Sequence, residues 1–269
     1  MPVARTADGV DIAYETVGQG PPDVLFMHGW GGSGSYFDET IKSLDRSRLR
    51  AITFSFRGHG DSAAGPAYGL DELAADTIAV ADAAGVDKAL LIGFSMSGKF
   101  AQYVAARHPD RVLGQVLVAG CTAGLLPLPD EVLETWYAQA GNAEGMCDLV
   151  REYYYQPVRE ELTEAFGRSF ARIPLEALRG TMEAVTNTSF EPAHVPTLVL
   201  AGAHDPMFTA EMLRTTVSDP VPGARFEALD ANHEIPVELP DVLAARIEAF
   251  LAELSGAPEA GEALAGASV

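Results

Sequence analysis

Gly93-Phe94-Ser95-Met96-Ser97-Gly98 lies between two different patterns. Before it runs Ala89-Leu90-Leu91-Ile92, short, apolar and strand-like. After it, Met96 to His108 has helical spacing and is closed by Pro109. A serine at such a junction sits on a sharp strand-to-helix turn that pushes its hydroxyl out at the carboxyl end of a sheet. Small residues are needed on both sides because the strained turn packs against its neighbours. The usual pattern is G-x-S-x-G, and Ser97 replaces the second glycine with another small residue. An ordinary Gly/Ser turn would give the same six letters, so the reading rests on the strand before and the helix after.

Outward from that turn the alternation continues. Val10 to Val17 reads as a first strand, Asp23 to Met27 as a buried one ending at His28-Gly29, and Leu49 to Phe56 as another ending at Arg57-Gly58. Leu70 to Ala84 has helical spacing stopped by Gly85. Val112 to Ala119, Thr197 to Ala201 and Arg225 to Leu229 complete the strands, and a helix follows from about Leu239 to Leu254. Short apolar runs alternating with helices predict an α/β fold, a mostly parallel central sheet covered by helices on both faces. Residues 124–190 break the alternation. They show no strand and carry Trp136, Tyr137, Tyr153, Tyr154, Tyr155, Phe166 and Phe170. This predicts a helical cap insertion, whose aromatics either form its own small core or face the serine. The expected division is therefore 1–123 and 191–254 for the sheet-bearing part, 124–190 for the cap, and 255–269 for a mobile Ala/Gly/Glu-rich tail.

Composition narrows the function. The 269 residues suit one domain with a large core. Against 38 Asp plus Glu stand 18 Lys plus Arg, a formal charge of −20, which repels nucleic-acid backbones and anionic lipids. No stretch is apolar enough to span a membrane, and the first residues show no signal core, so a cytoplasmic protein is expected. The two cysteines, Cys121 and Cys147, have no partner at metal-ligand spacing, so neither a disulfide framework nor a metal site is expected.

His28-Gly29-Trp30-Gly31-Gly32-Ser33 follows a strand. In the fold implied by the serine turn, such a loop gives one backbone N–H to an oxyanion hole and the residue after the nucleophile gives the other. That selects Trp30 and Met96. With Arg57-Gly58-His59-Gly60-Asp61-Ser62, Gly202-Ala203-His204-Asp205 and Asn232-His233, these landmarks span nearly the whole chain apart from the tail. Together they resemble the capped α/β-hydrolases, a group of esterases, lactonases, carbon–carbon bond hydrolases and cofactor-free haloperoxidases or perhydrolases.

The resemblance implies a nucleophile, acid and base in the order Ser95, Asp205, His233, the last two after the penultimate and final strands. Asp230 is the alternative acid and His204 the rival base, although neighbours on a turn point apart. His28 is expected to be structural. A carboxylic ester or lactone is the implied small-molecule substrate, cleaved through an acyl-serine without cofactor. A perhydrolase and a non-hydrolytic ligand-binding or rearrangement role are the alternatives, and oligomeric state is left open. Three residues depart from the group's pattern: Ser55 where aspartate is frequent, Asn232 where glycine is common, and Lys99 where small residues prevail. Lys99 is expected either to be solvated or to face the cap and meet a polar group of substrate.

Overall fold

The computed structural model describes residues 1–256. The predicted tail falls almost wholly outside them. The strands are β1 (Val3–Arg5), β2 (Asp11–Gly18), β3 (Asp23–Met27), β4 (Arg50–Phe54), β5 (Ala89–Phe94), β6 (Val112–Val118), β7 (Thr197–Gly202) and β8 (Arg225–Leu229). They form one sheet in the order β1-β2-β4-β3-β5-β6-β7-β8. From β4 to β8 every pairing is parallel, while β1–β2 and β2–β4 are antiparallel. The sequence reading put the first strand at Val10. A three-residue β1 is too short to show a period, and the chain returns from it through a turn with Gly9 at φ 87°.

Helices α1 (Asp38–Ser43), α2 (Leu70–Ala83), α3 (Met96–Arg107) and α10 (Pro240–Leu254) cover the sheet. Strand β3 shows how. Leu25 and Met27 share a buried cluster with Leu73 and Val80 of α2 and Phe100 and Val104 of α3. Val24 and Phe26 share the other with Ile41 of α1 and Leu243 and Ile247 of α10. Successive side chains point to opposite faces, so a strand buried on both sides must be apolar throughout. That is why β3 and β5 read as unbroken hydrophobic runs.

Between β6 and β7 lie α4 (Asp130–Tyr137), α5 (Ala143–Arg151), α6 (Glu160–Phe170) and α7 (Leu175–Thr186), with no strand. Trp136, Tyr137, Met146, Phe170, Leu178 and Met182 form a third cluster, and Trp30 from the loop after β3 packs against it. Short helices α8 (Ala210–Leu213) and α9 (Ile235–Glu238) follow β7 and β8. The loops after β3, β5, β7 and β8 all leave from the carboxyl edge of the sheet, where open α/β sheets gather their sites.

Candidate active site

Ser95 leaves β5 with φ 51° and ψ −117°, a conformation rare for a residue with a Cβ. Its surroundings hold it there. Its N–H donates to Val118 O at 2.9 Å, and its carbonyl accepts from Gly98 N at 3.0 Å and Cys121 N at 2.9 Å. A Cβ on Gly98 would come within 2.4 Å of the Gly120 backbone, and one on Gly93 within 2.5 Å of Ser97 O. Ser97, the departure from the glycine pattern, is fully buried and useful. Its hydroxyl donates to Met27 O and accepts from Phe94 N at 2.9 Å, tying the end of β3 to the turn.

His233 reaches the serine from the loop after β8. Its Nε2 is 2.9 Å from Ser95 Oγ and its Nδ1 is 2.7 Å from Asp205 Oδ2. The other Asp205 oxygen accepts from Met207 N and Phe208 N, both at 2.9 Å. The Phe208 ring stacks on the imidazole at 5.1 Å between centroids. Burial pushes the Asp205 carboxyl up, but the His233 charge and hydrogen bond and those two N–H groups hold it below its ordinary value. Burial pushes His233 down, and the Asp205 carboxylate, with the charges of Glu234 and Glu238, lifts it above its ordinary 6.5.

Asn232 does what glycine could not. Its Oδ1 accepts from His233 N at 2.8 Å, while its own N–H donates to Glu238 Oε1 at 3.1 Å. The close approach falls instead on Gly202, where a Cβ would lie 1.9 Å from Asn232 O.

On the other side of Ser95 the loop after β3 is fixed by His28, which is fully buried. Nδ1–H donates to Gly29 O at 2.8 Å and Nε2 accepts from Phe56 N at 3.1 Å. Burial pushes its pKa down to about 3, so it stays neutral and structural. Trp30 is anchored by its indole N–H, which donates to Leu178 O of α7 at 2.9 Å. The backbone N–H groups of Trp30 and Met96 donate to no acceptor among the described residues, and both residues line the pocket that holds Ser95.

That pocket encloses about 80 Å³ of accessible space. Trp136, Met146, Val150, Phe166 and Met182, from the four helices between β6 and β7, supply one wall. So the aromatics of that segment divide. Tyr137 and Phe170 pack in its own cluster alone, while Trp136, Tyr153 and Phe166 both pack with that cluster and line the pocket. Among the described residues no lysine or arginine lines the pocket, and Glu234 is its one carboxylate. Glu234 and its partner Tyr36 had no signal in the sequence beyond Glu234's place beside the histidine.

Other sequence candidates lie elsewhere. His204 and Asp230 pair with each other at 2.9 Å, and His204 stacks on Tyr155 at 3.6 Å. Ser55 is buried, its Oγ accepting from Gly34 N at 3.1 Å. Lys99 corrects the expectation of a solvated side chain. It is fully buried, and its ammonium donates to Gly124 O at 2.8 Å, Val185 O at 2.7 Å and Thr188 O at 2.6 Å. It does face the segment between β6 and β7, but it meets backbone carbonyls at the two places where that segment leaves and rejoins the sheet-bearing part. Cys121 and Cys147 are separate buried thiols, and burial pushes Cys121 up to about 12. No group of metal-ligating side chains and no membrane-crossing helix occurs among the described residues.

With the geometry in hand, comparison places the chain among known proteins. The family model described as alpha/beta hydrolase fold matches residues 22–160. A 3-oxoadipate enol-lactonase of Acinetobacter baylyi is 28% identical over 275 residues, covering 91% of this chain and 95% of that protein. A pimeloyl-[acyl-carrier protein] methyl ester esterase of Chromobacterium violaceum is 34% identical over 179 residues, covering 64% and 65%. An esterase structure from Exiguobacterium antarcticum superposes with a TM-score of 0.82 at 18% identity, covering 94% of this chain and 98% of that one, a likeness of fold.

Proposed function

The chain belongs to the α/β-hydrolase family, and from that premise we propose that it is a carboxylic ester hydrolase acting on an uncharged ester or lactone through an acyl-serine intermediate. The observation that carries this reading is the run of contacts from Ser95 Oγ to His233 Nε2 and from His233 Nδ1 to Asp205, opening on an apolar pocket. A serine hydroxyl is a weak nucleophile until a base removes its proton. His233 takes that proton as Oγ attacks the substrate carbonyl, and Asp205 fixes the ring's tautomer and steadies the imidazolium. The negative charge that develops on the carbonyl oxygen is met by the N–H groups of Trp30 and Met96. Donors fixed beforehand need not reorganise as that charge appears. His233 then gives its proton to the departing alkoxide, and water, activated by the same nitrogen, releases the acid. No step requires an electron carrier or a metal.

Relatives named as an enol-lactonase and a methyl ester esterase support the ester or lactone class. Absence of charge on the acyl part is argued from the pocket. A second carboxylate beside Glu234 would be buried without a counter-ion, since no lysine or arginine lines the wall. Residues 124–190 act in this reading as the cap that sets substrate size. The test is a panel of chromogenic esters and lactones of varied acyl length, run with and without millimolar peroxide, with free acid and peracid quantified together. Free acid is expected to dominate. Peracid as the main product would make the protein a perhydrolase, and a panel left wholly untouched would return it to the ligand-binding or rearrangement role.

A further inference from the structure

Glu234 is a carboxyl group in the wrong place for a merely apolar pocket. It follows His233 directly, is 8% exposed, and lines the pocket that holds Ser95. Its Oε2 accepts from the Tyr36 hydroxyl. Its Oε1 takes no hydrogen bond from any described residue, and it is not among the side-chain atoms closed off without a partner. Tyr36 is itself held firmly. Its ring stacks on Phe94 at 5.3 Å and 9°, and meets Phe166 edge-on at 5.7 Å. The carboxyl is therefore held at one oxygen by a rigid phenol, and its other oxygen has no partner among the described residues, on a residue that lines the pocket.

An acceptor in such a wall loses free energy when an apolar occupant displaces water from it, unless that occupant donates to it. We propose that Glu234, oriented by Tyr36, is a specificity residue that accepts a hydrogen bond from an uncharged donor on the substrate, a hydroxyl or an amide N–H carried near the scissile carbonyl. This rests on the hydrolase reading and deepens it. The charge of the donor follows from the surroundings. An anion would meet Glu234 with no lysine or arginine in the wall. An ammonium brings three donors to one open carboxylate oxygen among apolar side chains and strands the others. A hydroxyl or amide N–H brings one uncharged donor to the one open oxygen.

The test uses pairs of esters of equal length, one plain and one bearing a hydroxyl or an amide N–H at successive chain positions, with cationic and anionic members added. Matched plain and hydroxylated fluorophosphonates read the same preference as the rate of Ser95 labelling. Both are compared in the wild type, Glu234→Gln and Tyr36→Phe. The readout is the ratio of kcat/KM, or of labelling rate, between the two members of a pair, so general damage cancels. In the wild type one position should favour the donor by about ten- to a hundred-fold, the range for a hydrogen bond to a charged group. Both charged members should fall below the neutral donor. In Glu234→Gln the ratio should collapse or invert, because the amide oxygen takes the Tyr36 proton and turns its NH2 to the cavity. Tyr36→Phe should shrink it, and this variant carries the comparison if the first does not fold. Plain and donor-bearing esters cleaved alike at every position would reject the inference and leave the hydrolase reading standing. So would a preference unchanged in both variants. A donor preference in labelling, with every ester left intact, would remove the hydrolase reading and overturn the assignment of that donor to a cleaved substrate.

Discussion

At the scale of single residues, His233 holds its proton more tightly than a free imidazole because the carboxylates around it outweigh its burial. Only the neutral ring can accept the Ser95 proton. Activity should accordingly be lost as pH falls and appear as pH rises through the His233 pKa, with a midpoint of kcat/KM above the ordinary 6.5. A midpoint at or below that value would contradict the assignment of Asp205 as its partner. Asp205→Asn should lower kcat by about ten-thousand-fold if it behaves as a triad acid does elsewhere. Asp230→Asn, altered where it pairs with His204, should leave a far smaller effect. Equal losses in the two variants would reopen the choice between them. The meeting of Ser95, Asp205 and His233 was legible in the sequence because each follows a strand at a stated place. Lys99 and Glu234 were not. The partners of Lys99 lie 25, 86 and 89 positions away, and local pattern carries no trace of them.

At the scale of elements, the turn between β5 and α3 was legible because its small residues and the strand and helix beside them are consecutive in the chain. Glycine or serine flanks Ser95 wherever a larger side chain would strike backbone. Strand β1 was missed because three residues show no period, and the short helices α1, α8 and α9 for the same reason. One tie between the four-helix segment and the sheet was also invisible, since it is a lysine on α3 meeting carbonyls of Gly124, Val185 and Thr188. Burial pushes that lysine down to about 8, and its ammonium form is the one that donates to three carbonyls at once. Lys99→Met removes the donors and leaves the acceptors behind. It should destabilise the protein by about 1.5–3 kcal/mol, the range for hydrogen bonds to charged groups. A lowered Tm, together with faster amide exchange in residues 124–190, is the expected measurement. An unchanged Tm would mean that water replaces the ammonium without loss.

At the scale of the whole molecule, alternation of strands and helices foretold the parallel sheet, and its one interruption foretold where the extra helices fall. The pocket was out of reach. Its wall combines side chains from loops after β3, β5, β7 and β8 with others from α4 to α7, and only the folded chain brings them together. Its apolar character gives a prediction that belongs to the assembled fold. Each added methylene buried there is worth about 0.8 kcal/mol, so kcat/KM should rise by about fourfold per methylene. The rise should stop once the pocket is filled, and longer chains should be cleaved more slowly. A flat response across acyl lengths would place the acyl chain outside this pocket.

The account stands or falls on Ser95. Incubation with a fluorophosphonate, followed by intact-mass measurement and peptide mapping, tests it most directly. The account predicts one adduct per chain, on Ser95, with esterase activity lost in step, and neither adduct nor activity in Ser95→Ala. An adduct on another residue, or full activity in Ser95→Ala, would contradict it.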